Sequence, residues 1–260
     1  MGIFDRIGKN KVKKPADVRS VGRKESKIED FTFISSVNTD SWFEVHSACL
    51  GKMTAIQKRC HEYIIDGAEW SADLRSGIIR FGTDEYPVQL IGTEGTATNS
   101  WQWGYKNING LDDKLLMLAN EVKEKGDKWS IKALSTPDIH MTDTFNGKSL
   151  STVACGISDT PYCYYSTPSR SANVFLAFSN IPEDILEPFG LTEFIDIVVD
   201  CVQNHAIEHK IFLKSFLEWN KTLYEENSNG IAAHFKEGAS ILFEFERVDE
   251  FWRISQIKSA

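Results

Sequence analysis

No stretch of this chain comes near the roughly 18 consecutive apolar residues that a membrane-spanning helix needs. The first residues, MGIFDRIGKNKVKK, run from a short apolar core straight into lysines, which is not the pattern of a secretory signal peptide. A myristoylation signal is also lacking, because Arg6 stands where that signal has Ser or Thr. We therefore expect a soluble, cytoplasmic protein whose only membrane contact would be a weak one through its N-terminal end.

The chain also lacks organised cysteine. The number of cysteines is odd, and they are scattered along the chain without a C-x-x-C pair. They are Cys49, Cys60, Cys155, Cys163 and Cys201. This pattern argues against a disulfide framework and a structural zinc knuckle, and it fits a reducing compartment. We expect all of them to be free, buried thiols.

Recognisable catalytic and phosphate-binding motifs are lacking as well. No G-x-S-x-G stretch occurs, so a serine hydrolase is unsupported. Cys155, with His140 upstream, has no supporting motif of a thiol nucleophile. The stretch GTEGTATNS has neither the G-x-G-x-x-G spacing nor the Walker lysine, so we interpret it as a hairpin loop. These absences predict a non-catalytic protein without a cofactor.

Charge is present but unevenly placed. Residues 1–27 carry nine Lys and Arg against three acids, whereas the remaining chain carries 20 against 34. A basic arm on an acidic body argues against nucleic-acid binding by the body. The arm would touch a membrane surface or RNA, or remain a solvated tail. The acidic surface of the body would keep the protein soluble or steer a basic protein partner.

The most distinctive stretch is LIGTEGTATNSWQWGYKN, residues 90–107. Trp101, Trp103 and Tyr105 occupy every second position, so an extended strand would project all three rings from the same face. Large aromatic rings bury about 150–250 Å² each, which predicts that this face is a wall of the core. In the alternative interpretation, part of the face lines a groove for a ligand, since Trp and Tyr dominate binding hot spots.

Hydrophobic periodicity predicts an α+β protein. A helical repeat covers 41–66, alternating strand signals separated by close turns cover 70–105, and a second helical stripe covers 111–125. The close turns indicate an antiparallel meander. Residues 136–148 look like a loop, and a further hairpin is expected over 162–178.

Proline and glycine near residues 181–192 indicate a boundary. Beyond it we predict one long helix over Thr192–Trp219 and three short strands. The prediction is thus antiparallel meander sheets packed with helices, in three parts: a disordered basic arm at 1–30, a main α+β domain at 31–185, and a smaller C-terminal helix-and-meander unit at 186–260.

The sharpest chemical candidate is His205-Ala206-Ile207-Glu208-His209, formally the H-x-x-E-H of inverted zinc peptidases. On one continuous helix His205 and His209 would share a face, with the Cys201 thiol one turn earlier as a third ligand. Such peptidases take a further Glu ligand far downstream, however, and only 51 residues follow His209. We therefore predict no metal site and keep a site of Cys201, His205 and His209 as the alternative.

Eight residues around the aromatic stretch form a recognisable pattern: Trp70, Gly92, Thr93, Ser100, Trp101, Trp103, Gly104 and Asn107. The pattern resembles a bacterial family of unknown function, whose members carry a Gly-Thr/Ser turn followed by Ser-Trp-x-Trp-Gly-x-x-Asn. Tyr105 and Lys106 depart from it, because the family has Trp and Ala there. The resemblance covers about residues 42–180 and implies a shared α+β fold. It implies no activity, so no catalytic residue is carried over.

These observations predict a non-catalytic, cytoplasmic bacterial protein that binds a protein partner with a basic surface. An immunity-type neutraliser of a basic toxin is the most concrete form of this hypothesis. The alternatives are a metal-dependent hydrolase that uses His205 and His209, and a small-molecule binder lined by Trp101 and Trp103. The candidate binding residues are Trp70, Trp101, Trp103, Tyr105, Glu94 and Arg170.

Overall fold

The structure is a computed structural model that describes residues 37–38, 41–169, 171–236 and 238–259. The basic arm predicted at residues 1–30 and the candidate residue Arg170 lie outside these ranges. Within them, no helix is long and apolar enough to cross a membrane. The α+β prediction is confirmed, because helices pack on two separate antiparallel sheets.

The helices are α1 (Trp42–Cys60), α2 (Met117–Lys128), α3 (Lys132–Ser135), α4 (Gly147–Ile157), α5 (Leu191–Asn204) and α6 (His209–Trp219). The strands are β1 (Trp70–Asp73), β2 (Ile78–Phe81), β3 (Asp84–Gly95), β4 (Ser100–Trp103), β5 (Asp138–His140), β6 (Cys163–Pro168), β7 (Ala172–Phe178), β8 (Leu223–Asn227), β9 (Gly230–His234), β10 (Ser240–Val248) and β11 (Phe251–Ser259). Strand β5 lies inside the stretch predicted as a loop, so that part of the prediction was wrong.

Helix α1 is the element that both halves of the molecule share. It begins where the Ser41 hydroxyl accepts a hydrogen bond from the Glu44 N–H, a standard N-cap. One side, including Val45 and Met53, packs in a core with the seven-stranded sheet and α4. The opposite side packs against α5 and α6. A helix buried on both sides joins the two halves through packed side chains.

The seven-stranded sheet is built around β3, which is long enough to pair with three strands. It pairs with β2 near its start, with β4 near its end and with β7 along its second half. Strand β6 adds to β7, and β5 adds to β4, all antiparallel. The predicted meander is therefore present, with a register shift between Leu90 and Gly92 where β3 passes from one partner set to the other.

The C-terminal unit differs from its prediction in two ways. The single helix predicted over Thr192–Trp219 is wrong: α5 and α6 are separate, and His205 between them has an extended backbone. The chain breaks there because the Glu208 carboxylate caps α6 by accepting from the Ile211 N–H at 2.6 Å. The sheet has four strands in the order β11-β10-β9-β8, since the polar segment 223–227 forms an additional edge strand.

Candidate functional site

The aromatic ribbon of β4 is part of the core. The Trp101 and Trp103 side chains are 0% and 1% exposed, and their rings meet edge to face at 5.2 Å. The Trp103 indole N–H donates to the Ala133 carbonyl at 3.0 Å. Neither tryptophan therefore has exposed ring surface that could line a groove for a ligand.

Tyr105 leaves the strand, so the prediction that it continues the same face was wrong. Residues 104–106 form a 3-10 turn, in which the Tyr105 ring stacks on Trp103 with 6.1 Å between ring centres. Its hydroxyl donates to the Leu134 carbonyl at 3.1 Å. The turn forms because Gly104 lies so close to β3 that a Cβ there would meet the Leu90 carbonyl oxygen at 2.6 Å.

Two further residues of the sequence pattern, Gly92 and Asn107, also have structural roles. A Cβ at Gly92 would come within 2.5 Å of the Trp101 ring. Asn107 adopts a left-handed backbone (φ 47°), and its side-chain amide both donates to and accepts from the backbone of Leu111. A shallow surface depression over Gly92 and Asn107 has no charged residue in its lining. The pattern thus marks a closely packed scaffold.

The two other candidate binding residues that the structure describes, Trp70 and Glu94, do not converge. Trp70 lies on the edge strand β1, 41% exposed and 5.0 Å from the Tyr165 ring. Glu94 lies opposite Trp101 near the far end of β3, about 33 Å along that strand from Asp84, which pairs with Phe81, the partner of Trp70. Its carboxylate faces the first residue of α4, Gly147, where the positive end of the helix dipole favours an anion. Trp70 and Glu94 therefore lie in separate parts of the sheet with different neighbours.

The H-x-x-E-H residues form a corner that fastens the edge strand β11. Glu208 accepts from the Trp252 backbone N–H at 3.0 Å with the carboxylate oxygen that does not cap α6. His209 Nδ1 accepts from the Ile254 N–H, also at 3.0 Å. The two N–H groups are two residues apart on the outer edge of β11. Without these acceptors they would be unpaired donors at a sheet edge, where a strand of another chain could pair with them. Burial and the nearby Arg253 lower the pKa of His209 to about 4, which keeps its ring neutral and able to accept.

The premise of the alternative metal site, that its ligands share one helix face, is therefore wrong. His205 ends α5, whereas His209 begins α6 and uses one ring nitrogen on the backbone. The Cys201 thiol donates to the Thr54 hydroxyl at 3.4 Å. In the described part of the chain, no group of three or more His, Cys, Asp or Glu side chains is arranged to hold a metal ion.

A different feature stands out on the surface of the C-terminal unit. Residues 171–209 contain seven carboxylates and no Lys or Arg. We use the name acidic face for six of them, which occupy a 3-10 turn and the outer side of α5: Glu183, Asp184, Glu187, Glu193, Asp196 and Asp200. Reasoning on whole-chain charge missed this face, although the 39-residue gap between cations is visible in the sequence.

Arg59 of α1 holds the two parts of the acidic face together. Its guanidinium donates to the backbone carbonyls of Asp184, Ile185 and Glu187. It lies 3.5 Å from the centre of the Phe189 ring, and its side chain is only 12% exposed. A cation buried in this way organises the backbone of the turn but offers little charge to the surface.

Most carboxylates of the acidic face have no counter-ion in the part of the chain that the structure describes. Glu193 lies 4.0 Å from Arg59, and Asp200 accepts from the Asn204 amide. For the other four members no ion pair exists among the described residues. Elsewhere carboxylates have lysine partners, as Glu226 has in Lys210 and Lys214. The acidic face therefore combines negative charge at the surface with a turn whose backbone is hydrogen-bonded to Arg59.

Comparison with known protein families matches residues 44–181 to DUF6882, described as a family of unknown function. The match covers the seven-stranded sheet and α1 to α4, and it ends just before the acidic face begins. No curated protein and no solved structure matches the chain.

Proposed function

The chain belongs to this family of unknown function, and from that premise we propose that it is a non-catalytic bacterial protein of the cytoplasm that binds a partner with a basic surface. The proposed contact is the acidic face. Its most concrete form is an immunity-type protein that neutralises a basic toxin.

The observation that carries the proposal is the absence of counter-ions among the described residues around Glu183, Asp184, Glu187 and Asp196. Like charges held close together on a fixed backbone repel one another, and an oppositely charged partner removes that repulsion. Such a surface raises the association rate with a basic protein and makes binding sensitive to salt. Burial of Trp101 and Trp103 leaves the small-molecule alternative without comparable support.

A charge-reversal variant tests the proposal. We expect the wild-type chain, immobilised in extract of its native host, to capture one basic protein in a stoichiometric amount. The triple variant Glu183→Lys, Glu187→Lys, Asp196→Lys should retain at least about tenfold less of that protein, because each reversal replaces an attraction by a repulsion. Raising the salt concentration should weaken capture by the wild type in the same direction.

A matched control separates the acidic face from net charge. The variant Glu62→Lys, Glu69→Lys, Glu124→Lys makes the same change of charge at exposed positions outside the acidic face, and it should capture the partner normally. Absence of any stoichiometric partner, or equal loss in both triple variants, would refute the proposal. Co-expression with the captured protein then tests the narrower hypothesis, since a toxin should stop growth only when the acidic face is reversed.

A further inference from the structure

His205 has a partner that the helical motif does not contain. Its ring lies 6.3 Å, centre to centre, from the ring of His46 on α1, at an angle of 53° between planes. Both side chains are partly exposed, so solvent and ions can reach the pair. Among the described residues, no hydrogen bond reaches either ring, in contrast to His209. Two imidazoles from different elements thus lie side by side, and no described residue hydrogen-bonds to their ring nitrogens.

We infer that His46 and His205 form a binding site for a divalent ion of the zinc and nickel class, which connects α1 to the corner between α5 and α6. The inference is independent of the proposed function and of the acidic face as a protein contact. The site would supply two nitrogen ligands and leave the other coordination positions to water or to a donor from a partner.

The distance between the rings permits a shared ion. A zinc–nitrogen bond is about 2.1 Å, and the ring centre lies about 1.1 Å behind the nitrogen, so two imidazoles on one ion have centres at most about 6.4 Å apart. The observed 6.3 Å lies within that limit. Tetrahedral coordination needs roughly 5.2 Å between the ring centres, so the His205 side chain would have to turn toward His46 when the ion binds.

The surroundings of the pair favour neutral rings and restrict the His46 ring. Trp42 stacks on His46 with 6.4 Å between ring centres, and Phe145 stacks on Trp42 with 4.9 Å between ring centres. This aromatic wall limits the rotation of the His46 ring. Burial, and secondarily His205, lowers the pKa of His46 to about 4, and burial also lowers the pKa of His205. Neutral imidazole is the form that binds metal ions, so no proton needs to leave at pH 7.

Two charged side chains near His205 act on a cation in opposite directions. Asp200 raises the pKa of His205, which shows that it favours positive charge there, whereas Lys148 lowers that pKa. A bound divalent ion would be stabilised by the first and repelled by the second. These neighbours provide a test that a nonspecific metal contact would not pass.

The experiment is calorimetric titration of untagged, chelator-treated protein with ZnCl2 and with NiCl2. We expect one ion per chain, and a dissociation constant about tenfold or more higher in His46→Gln and in His205→Gln, since each removes a direct ligand. His140→Gln changes an exposed histidine on β5 and should bind as the wild type does. Absence of binding, or identical isotherms for the wild type and the double variant His46→Gln, His205→Gln, would overturn the inference.

Variants of the charged neighbours keep the test valid if a histidine variant fails to fold. Lys148→Gln should tighten binding about two- to fivefold, and Asp200→Asn should weaken it by a similar factor. Thermal unfolding with and without ZnCl2 gives an independent readout, because an ion that binds only the folded state raises Tm. Shifts in the same direction for both variants, or no shift for either, would show that the ion is bound elsewhere.

Discussion

The two halves that pack against α1 differ in whether their polar groups have partners. In the family-matched half, the polar atoms of Trp103, Tyr105 and Asn107 are paired with backbone groups close by. In the C-terminal half, four carboxylates of the acidic face have no ion pair with any described residue, and no described residue hydrogen-bonds to the ring of His205. A conspicuous sequence pattern can therefore mark a scaffold. Groups left without partners are the better indicator of where something else binds.

The largest expected loss of stability comes from truncating the buried tryptophans of the family-matched half. Trp101→Ala and Trp103→Ala should each lower the free energy of unfolding by about 3–5 kcal/mol, because each empties a site filled by a fully buried indole. Trp252→Ala removes a ring that is 39% exposed in the C-terminal unit and should cost less than about 1 kcal/mol. Urea unfolding followed by circular dichroism measures all three. Equal losses would mean that the ribbon is not the main wall of the core.

Two glycines test whether α1 is packed equally tightly on both sides. A Cβ at Gly51 would lie 2.6 Å from Phe216 of α6, and one at Gly156 of α4 would lie 2.6 Å from Cys49 of α1. Both Gly51→Ala and Gly156→Ala should cost about 1–3 kcal/mol, despite the better helix propensity of alanine. If only Gly156→Ala destabilises, or if urea unfolding separates into two transitions, the C-terminal unit is docked more loosely than this packing indicates.

The α+β class and much of the first half could be predicted because their signals are local. The repeat of apolar residues over 41–66 and the alternation before Trp103 each need only a short window of sequence. Tyr105 was misplaced because the close approach of Gly104 to β3 is a tertiary contact. The break at His205 was missed for a similar reason, since Glu208 caps α6 and binds β11 at the same time.

The site could be predicted even less well. The pairing of His46 with His205, and the use of Arg59 to join two acidic segments, depend on contacts between residues far apart in the chain. No periodicity reports such contacts. What the sequence did contain was the stretch without cations at 171–209, which a local rather than a whole-chain count of charge reveals.

Acid should weaken the junction of α1 with the C-terminal half at His46 and the attachment of β11 at His209. The pKa of His46 and of His209 is about 4 in the folded protein and about 6.5 when unfolded, so between these values the unfolded state binds more protons. Stability is then full above pH 6.5 and falls as the pH drops toward 4. Glu208 opposes this change, because burial raises its pKa.

We expect a net loss of about 1–2 kcal/mol across that range after allowing for solvent screening. Urea midpoints measured at pH 7, 6, 5 and 4.5 give the slope. His46→Gln should flatten it, whereas His140→Gln, at an exposed position, should not. A slope that is the same in both variants would place the acid sensitivity away from the junction.

The smallest expected effect is a difference in stability between variants of the two buried tryptophans of the family-matched half. Trp103 donates its indole N–H to the Ala133 carbonyl, whereas the buried indole N–H of Trp101 has no hydrogen-bond partner in the part of the chain that the structure describes. Phenylalanine removes similar ring area at both positions. Trp103→Phe additionally leaves the Ala133 carbonyl without its donor, while Trp101→Phe removes an unmet donor. Trp103→Phe should therefore cost about 1 kcal/mol more, measured as the difference in free energy of unfolding. A larger loss of unfolding free energy for Trp101→Phe would show that the Trp101 N–H is hydrogen-bonded in solution. Pairing of buried polar groups would then extend to both tryptophans of the family-matched half.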